Sequence, residues 1–132
     1  MYKNEVFARL VITSKTMSPA QITETLKLPP DKSYIINTPK QKETTSLHKY
    51  NLWEILIKKN NLYHTEPLVE QLLSLIKPIK NNLSELKNVK KEISVVVYKE
   101  KNMPSINYNR KIISFINDIN ASLDIDVYEI VF

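Results

Sequence analysis

The sequence predicts one α+β domain, a ferredoxin-like split β-α-β order extended by a helix and a strand to read β-α-β-β-α-β-α-β. Three observations predict it. Apolar residues alternate with period two in several separate runs, while leucine and isoleucine recur every three or four residues between them, behind cap residues. The third is size: 132 residues that are 42% hydrophobic and 25% charged suffice for one packed core. Residues 1–132 are therefore read as a single domain, without an internal repeat or linker. The chain has no Cys and no Gly. That excludes disulfide frameworks, thiolate zinc sites, cysteine nucleophiles and glycine-dependent phosphate or dinucleotide loops.

Each element has its own signal. In residues 5–13, Val6, Ala8, Leu10 and Ile12 share one face and Phe7, Arg9 and Val11 the other, which makes a strand. Ser18-Pro19-Ala20-Gln21 then supplies an N-cap, a proline at the first helical position and a capping-box Gln ahead of Ile22 and Leu26. Pro29 and Pro30 end that helix, and Ser33 to Asn37 reads as a short second strand. Residues 38–48 are polar and contain Pro39, giving a loop or a frayed hairpin arm. From Tyr50 to Lys58 the pattern separates Leu52, Glu54 and Leu56 from Trp53, Ile55 and Ile57, a third strand.

Thr65-Glu66-Pro67 caps a helix carrying Leu68, Leu72, Leu75, Ile76 and Ile79, and Pro78 predicts either a kink or a second short helix with Leu83 and Leu86. A β-branched fourth strand sets Ile93, Val95 and Val97 against Ser94, Val96 and Tyr98. After a loop around Pro104, Ile112, Ile113, Ile116 and Ile119 mark a third helix capped by Asn107 or Asn109, and a fifth strand runs from Ile125 to Val131. Several strands are apolar on both sides: Phe7 and Val11 behind Ala8 and Leu10, Val96 and Tyr98 behind Val95 and Val97, Ile130 and Phe132 behind Val131. Either the third helix covers the reverse face or that face meets another protein.

Taken in order, Ser18-Pro19-x-x-Ile22-Thr23-x-x-Leu26-x-Leu28-x-Pro30, Trp53, Leu68 with Leu72-Leu73 and Leu75, and the ending Leu123-Asp124-Ile125-Asp126-Val127-Tyr128 resemble an uncharacterised bacterial family, domain of unknown function 4279. The resemblance spans nearly the whole chain. It implies the same architecture and brings no established chemistry. Members usually carry glycine at the position of Lys27 and another in the loop before the Trp. Here the first helix must end on a non-glycine residue or stop differently.

The search for chemistry returns little. His48 and His64 are the two histidines. His64 lies near Tyr63, Glu66 and Glu70 at a helix start and reads as a surface residue, because a structural metal site needs four ligands. Asp124 and Asp126 are two apart on a strand and so share a face, as paired carboxylates must, though alternating acids on a solvated or edge strand give the same pattern. No catalytic residue, metal or cofactor is assigned. The formal charge is +5, with 19 Lys plus Arg against 14 Asp plus Glu. Lys77, Lys80, Lys87, Lys90 and Lys91 surround one acid, whereas Asp118, Asp124, Asp126 and Glu129 close the chain without a cation. The first ten residues carry Lys3, Glu5 and Arg9 and lack the apolar run of a secretory signal, so a cytoplasmic, non-membrane protein is the expectation.

A scaffold without a visible catalytic constellation reads as a non-catalytic protein-binding domain. The setting that fits is a bacterial immunity protein masking a toxin, encoded nearby, by steric occlusion. The candidate contacts are Tyr34, Tyr50, Trp53, Tyr63, Asp124 and Asp126, with Trp53 also reading as a core anchor. The alternative is an RNA-binding or regulatory module, using Arg9, Phe7, Tyr98 and Tyr128 on an open sheet and the Lys77 to Lys91 run for phosphates.

Overall fold

The computed structural model describes residues 3–41 and 45–130, and its centre is the strand the sequence makes most regular. β1 (Asn4–Ser14) buries every second side chain, with Val6, Ala8, Leu10 and Ile12 fully enclosed. It pairs antiparallel with β3 (Asn51–Asn60) on one side and with β4 (Lys90–Lys99) on the other. β2 (Lys32–Tyr34) adds antiparallel to β3, and β5 (Ser122–Glu129) adds parallel to β4, so the sheet runs β2-β3-β1-β4-β5. The parallel pair follows from its connection, since a helix between two strands returns the chain to the same end of the sheet. The single-domain α+β class and the predicted element order hold.

The helices form one layer. α1 (Pro19–Leu26) begins with the predicted capping box, Ser18 Oγ accepting from Gln21 N–H at 3.2 Å while Gln21 Oε1 accepts from Ser18 N–H at 2.8 Å. Pro78 produces the second short helix: α2 (Glu66–Ile76) gives way to a 3-10 turn at Lys77–Ile79 and then α3 (Lys80–Glu85). α4 (Arg110–Asp118) is capped by Asn109, whose Oδ1 accepts from Ile112 N–H at 3.0 Å; of the two candidate caps, Asn109 is the one used. Ile22 and Leu26, Leu68 and Leu72, Leu83, and Ile112 and Ile116 all enter the core cluster that contains Val6, Leu10, Ile93 and Val95. Every helix thus packs on one side of the sheet. Of the two alternatives for the reverse face, cover by the predicted third helix, here α4, is corrected: Phe7, Arg9 and Val11 lie opposite the core and stay partly exposed.

Other boundaries move. The second strand is the three residues Lys32–Tyr34 instead of 33–37, because Ile35 is 55% exposed and the chain turns at Ile36 and Asn37. β4 and β5 both begin three residues earlier than predicted, since polar residues at their starts pair in the sheet without alternating hydrophobicity. Val131, the predicted last residue of the fifth strand, and Phe132 after it lie outside the described residues. Of the predicted loop or hairpin arm, the described residues 38–41 and 45–48 pair as an arm: Pro39 bridges Leu47, Lys40 N–H donates to Ser46 O at 3.0 Å and His48 N–H to Thr38 O at 2.9 Å.

The absence of glycine is solved locally. Among the described residues Lys27, Asn37, Asn61, Asn88 and Asn120 take positive φ, four of them asparagines, which tolerate the left-handed region better than other residues with a Cβ. Lys27, where the resemblance led one to expect glycine, adopts φ 58° and ψ 34°, and its N–H donates to Thr23 O at 2.7 Å. The helix keeps its left-handed stop and accepts the strain of a side chain there. Buried polar side chains fasten the ends of the central strands. Asn4 donates to Leu62 O and accepts from Leu62 N–H, Ser14 donates to Asn88 O at 2.7 Å, and Asn51 accepts from Ile36 N–H and donates to Met17 O.

Candidate functional site

The uncovered sheet face is the candidate site, and strand register dictates what stands on it. Opposite Arg9 on β1 are Leu56 on β3 and Ser94 on β4; opposite Val11 are Glu54 and Glu92; opposite Phe7 are Lys58 and Val96. On the outer strand Asp124, Asp126 and Tyr128 stand beside Ser94, Val96 and Tyr98. At the other flank Tyr34 pairs with Leu52 and Lys32 with Glu54.

Arg9 organises the middle. Its Nη1 donates to Glu54 Oε1 at 3.0 Å and its Nη2 to Ser94 Oγ at 2.9 Å, bridging three strands. The Glu54 side chain is only 6% exposed, so Arg9 supplies the ion pair and hydrogen bond that offset burying its carboxylate. Arg9 Nε is buried and has no hydrogen-bond partner among the described residues. Towards one end, Lys58 pairs with Glu5 at 2.8 Å and lies 5.6 Å over the Phe7 ring. Phe7 meets Tyr98 edge-on at 5.9 Å, and Tyr98 stacks on Tyr128 at 5.3 Å. Towards the other end, an open hollow of about 360 Å³ is lined by Arg9, Val11, Tyr50, Leu52, Glu54 and Glu92, among others. A second hollow of about 400 Å³ continues it past Thr13, Tyr50 and Lys90.

The predicted contact residues do not converge. Tyr34 and Tyr50 share the hollow end, their rings 6.4 Å apart, with His48 stacked on Tyr34 at 3.5 Å. Burial, and then the neighbouring Tyr50 and Glu54, push the Tyr34 phenol above its usual value. Tyr63 lies past the opposite end of β3, and Asp124 and Asp126 stand four strands from β2, about 19 Å across at the usual strand spacing. Trp53 is withdrawn from the set. It is fully buried on the helix side, where its Nε1–H donates to Thr23 Oγ1 at 3.0 Å, and it serves as the core anchor. The lysine run is dispersed too: Lys91 is buried and donates to Leu83 O at 2.8 Å, Lys80 pairs with Asp118, and Lys90 alone of the five reaches the open face.

Glu54 was missed by sequence reasoning. The signal was there, a lone carboxylate inside Leu52-Trp53-Glu54-Ile55-Leu56-Ile57, but its partner is 45 residues away. Asp124 and Asp126 do share the open face. A hydrogen bond and like charge from Asp124, with desolvation, push the Asp126 carboxyl above its usual value, while Arg9 opposes. A carboxyl raised in the folded state holds its proton better than in the unfolded chain, so stability falls as pH rises through that window. Asp126→Asn is expected to raise the thermal midpoint relative to wild type at neutral pH, and the two should converge below about pH 4, where the unfolded carboxyl is also protonated. Circular dichroism melts across pH check this; a difference that ignores pH would contradict it.

Comparison with known proteins bears on the whole arrangement. The family model described as Domain of unknown function (DUF4279) matches residues 4–129, from the first residue of β1 to the last of β5. The chain belongs to this family. No match was found among curated proteins or among solved structures. For this DUF4279 domain the matched span takes in the entire sheet, the open face and all four helices, so the resemblance carried by the capping box, the Trp and the final alternating strand is correct. Among the described residues no group of three or more His, Cys, Asp and Glu could hold a metal ion, and no helix is long and apolar enough to cross a membrane.

Proposed function

We propose that this domain is a non-catalytic protein-binding module that uses its open sheet face, acting as a cytoplasmic immunity protein that occludes a toxin. The carrying observation is that face itself: Phe7, Val11, Leu52, Leu56, Tyr98 and Tyr128 are solvent-accessible on a side that no helix among the described residues covers, interleaved with charges. Such a mixed apolar and charged surface on a rigid scaffold suits protein contact, with aromatics supplying burial and charges supplying register. The electrostatics favour this over RNA binding. The stacked tyrosines stand beside Asp124 and Asp126, whereas Lys90 alone of the lysine run reaches this face, and stacking platforms for RNA need cations alongside the rings.

Affinity capture with the full chain from its native cell, paired with co-expression against the product of the adjacent gene, tests the reading. The expected result is a captured protein, protection from that product, and loss of both in Leu52→Glu with its melting temperature retained. Capture of no protein together with no protection would overturn it. Capture of RNA that dissociates steeply with salt would favour the alternative.

A further inference from the structure

β5 ends the sheet with a free side, and its two faces differ in chemistry. Ile130 N–H donates to Lys99 O at 2.7 Å, which fixes the alternation of the ladder. Even-numbered residues of β5 turn their backbone groups to β4, so Ile125 and Val127 turn theirs to the open edge. The side chains alternate as well. Asp124 and Asp126 stand on the open sheet face, and Ile125 and Val127, 37% and 40% exposed, stand on the helix side at the rim of the core. No Lys or Arg occurs from Asp118 to the end of the sequence, and no Pro interrupts the strand. Lysine and proline are the usual guards of an edge, so this one is guarded differently.

We propose that the β5 edge accepts an extended segment of a basic protein as a sixth strand, one that alternates Lys or Arg with apolar residues. This rests on the protein-binding reading and names the chemistry of its partner. Backbone groups of Ile125 and Val127 supply the ladder, cations opposite Asp124 and Asp126 fill one face, and apolar side chains beside Ile125 and Val127 fill the other. A second copy is the wrong occupant. Antiparallel pairing of β5 with itself sets its carboxylates against the same carboxylates on one face, where like charges directly opposite destabilise a sheet, and parallel pairing turns the second copy's faces over and sets those carboxylates beside its Ile125 and Val127.

The probe is a synthetic octapeptide alternating Arg and Val, compared with a Glu and Val counterpart and with a scrambled Arg and Val order of the same composition. Titration into the full chain, with amide exchange followed by NMR, is expected to show binding of the first alone and slowed exchange at the Ile125 and Val127 amides. Asp124→Lys with Asp126→Lys should weaken binding by at least about tenfold. Val127→Pro, which removes an edge donor and leaves the charges, should abolish the added protection while the fold survives, because edge strands tolerate proline. Equal binding of the scrambled or acidic peptide, unchanged exchange at those amides, or dimerisation through β5 would overturn the proposal. A native partner captured equally by wild type and the Asp124→Lys, Asp126→Lys variant, yet lost in Leu52→Glu, would overturn it while leaving the protein-binding reading intact.

Discussion

Trp53→Ala is expected to lower the free energy of unfolding by about 3–5 kcal/mol, a large share of the stability of a domain this size. The indole is fully buried where β3 meets α1, and it joins a core cluster containing Ile12, Ile22 and Leu26. Truncation removes the transfer energy of the ring, leaves a cavity, and strands the Thr23 hydroxyl that now accepts from Nε1–H. Urea denaturation followed by circular dichroism measures it, since the substitution removes the only tryptophan. Trp53→Phe separates the terms by keeping most of the ring and losing the hydrogen bond, at a cost of about 1–2 kcal/mol. A loss below about 1 kcal/mol for Trp53→Ala would contradict its role as core anchor.

Arg9→Met should cost about 2–4 kcal/mol at neutral pH, well beyond the 0–1 kcal/mol of an ordinary surface ion pair. The reason lies with its partner. The Glu54 side chain is almost wholly enclosed, and removing the guanidinium leaves a buried carboxylate uncompensated, with Ser94 also losing its donor. The double variant Arg9→Met, Glu54→Leu should recover most of the loss, because replacing both members of a buried pair with apolar groups is far cheaper than removing one. Chemical denaturation of both single variants and the double variant gives the coupling directly. If the two losses simply add, the pair does not organise the open face, and the shape offered to a partner has another origin.

Much of the fold was legible because its signals are local. The capping box at Ser18 and Gln21 and the alternation of β1 depend on residues within a turn or strand of one another, and each appears in the structure as read. The short β2 was overextended because Ile35 and Ile36 look like strand residues, yet the ladder to β3 stops at Tyr34. Lys27 shows the limit from the other side: a missing glycine signalled a problem, and the answer, a left-handed lysine, depended on the helix needing to end there. Of the candidate site, the pairing of Asp124 and Asp126 on one face followed from period two alone. Trp53 could not be placed inside or outside by that argument, since alternation assigns a face and leaves open which face is covered.

That coverage is what the tertiary structure decided. Element type, the two faces of each strand and the alternating acids of β5 are properties of neighbours along the chain, and the sequence by itself determined them. The order β2-β3-β1-β4-β5, the gathering of all four helices on one side, and the meeting of Arg9 with Glu54 and Ser94 join residues 45 and 85 positions apart. Such contacts depend on how connections cross the sheet and on which apolar face, once covered, excludes water. Periodicity has no means to encode either, so the open face and its free edge emerge only when the strands are side by side.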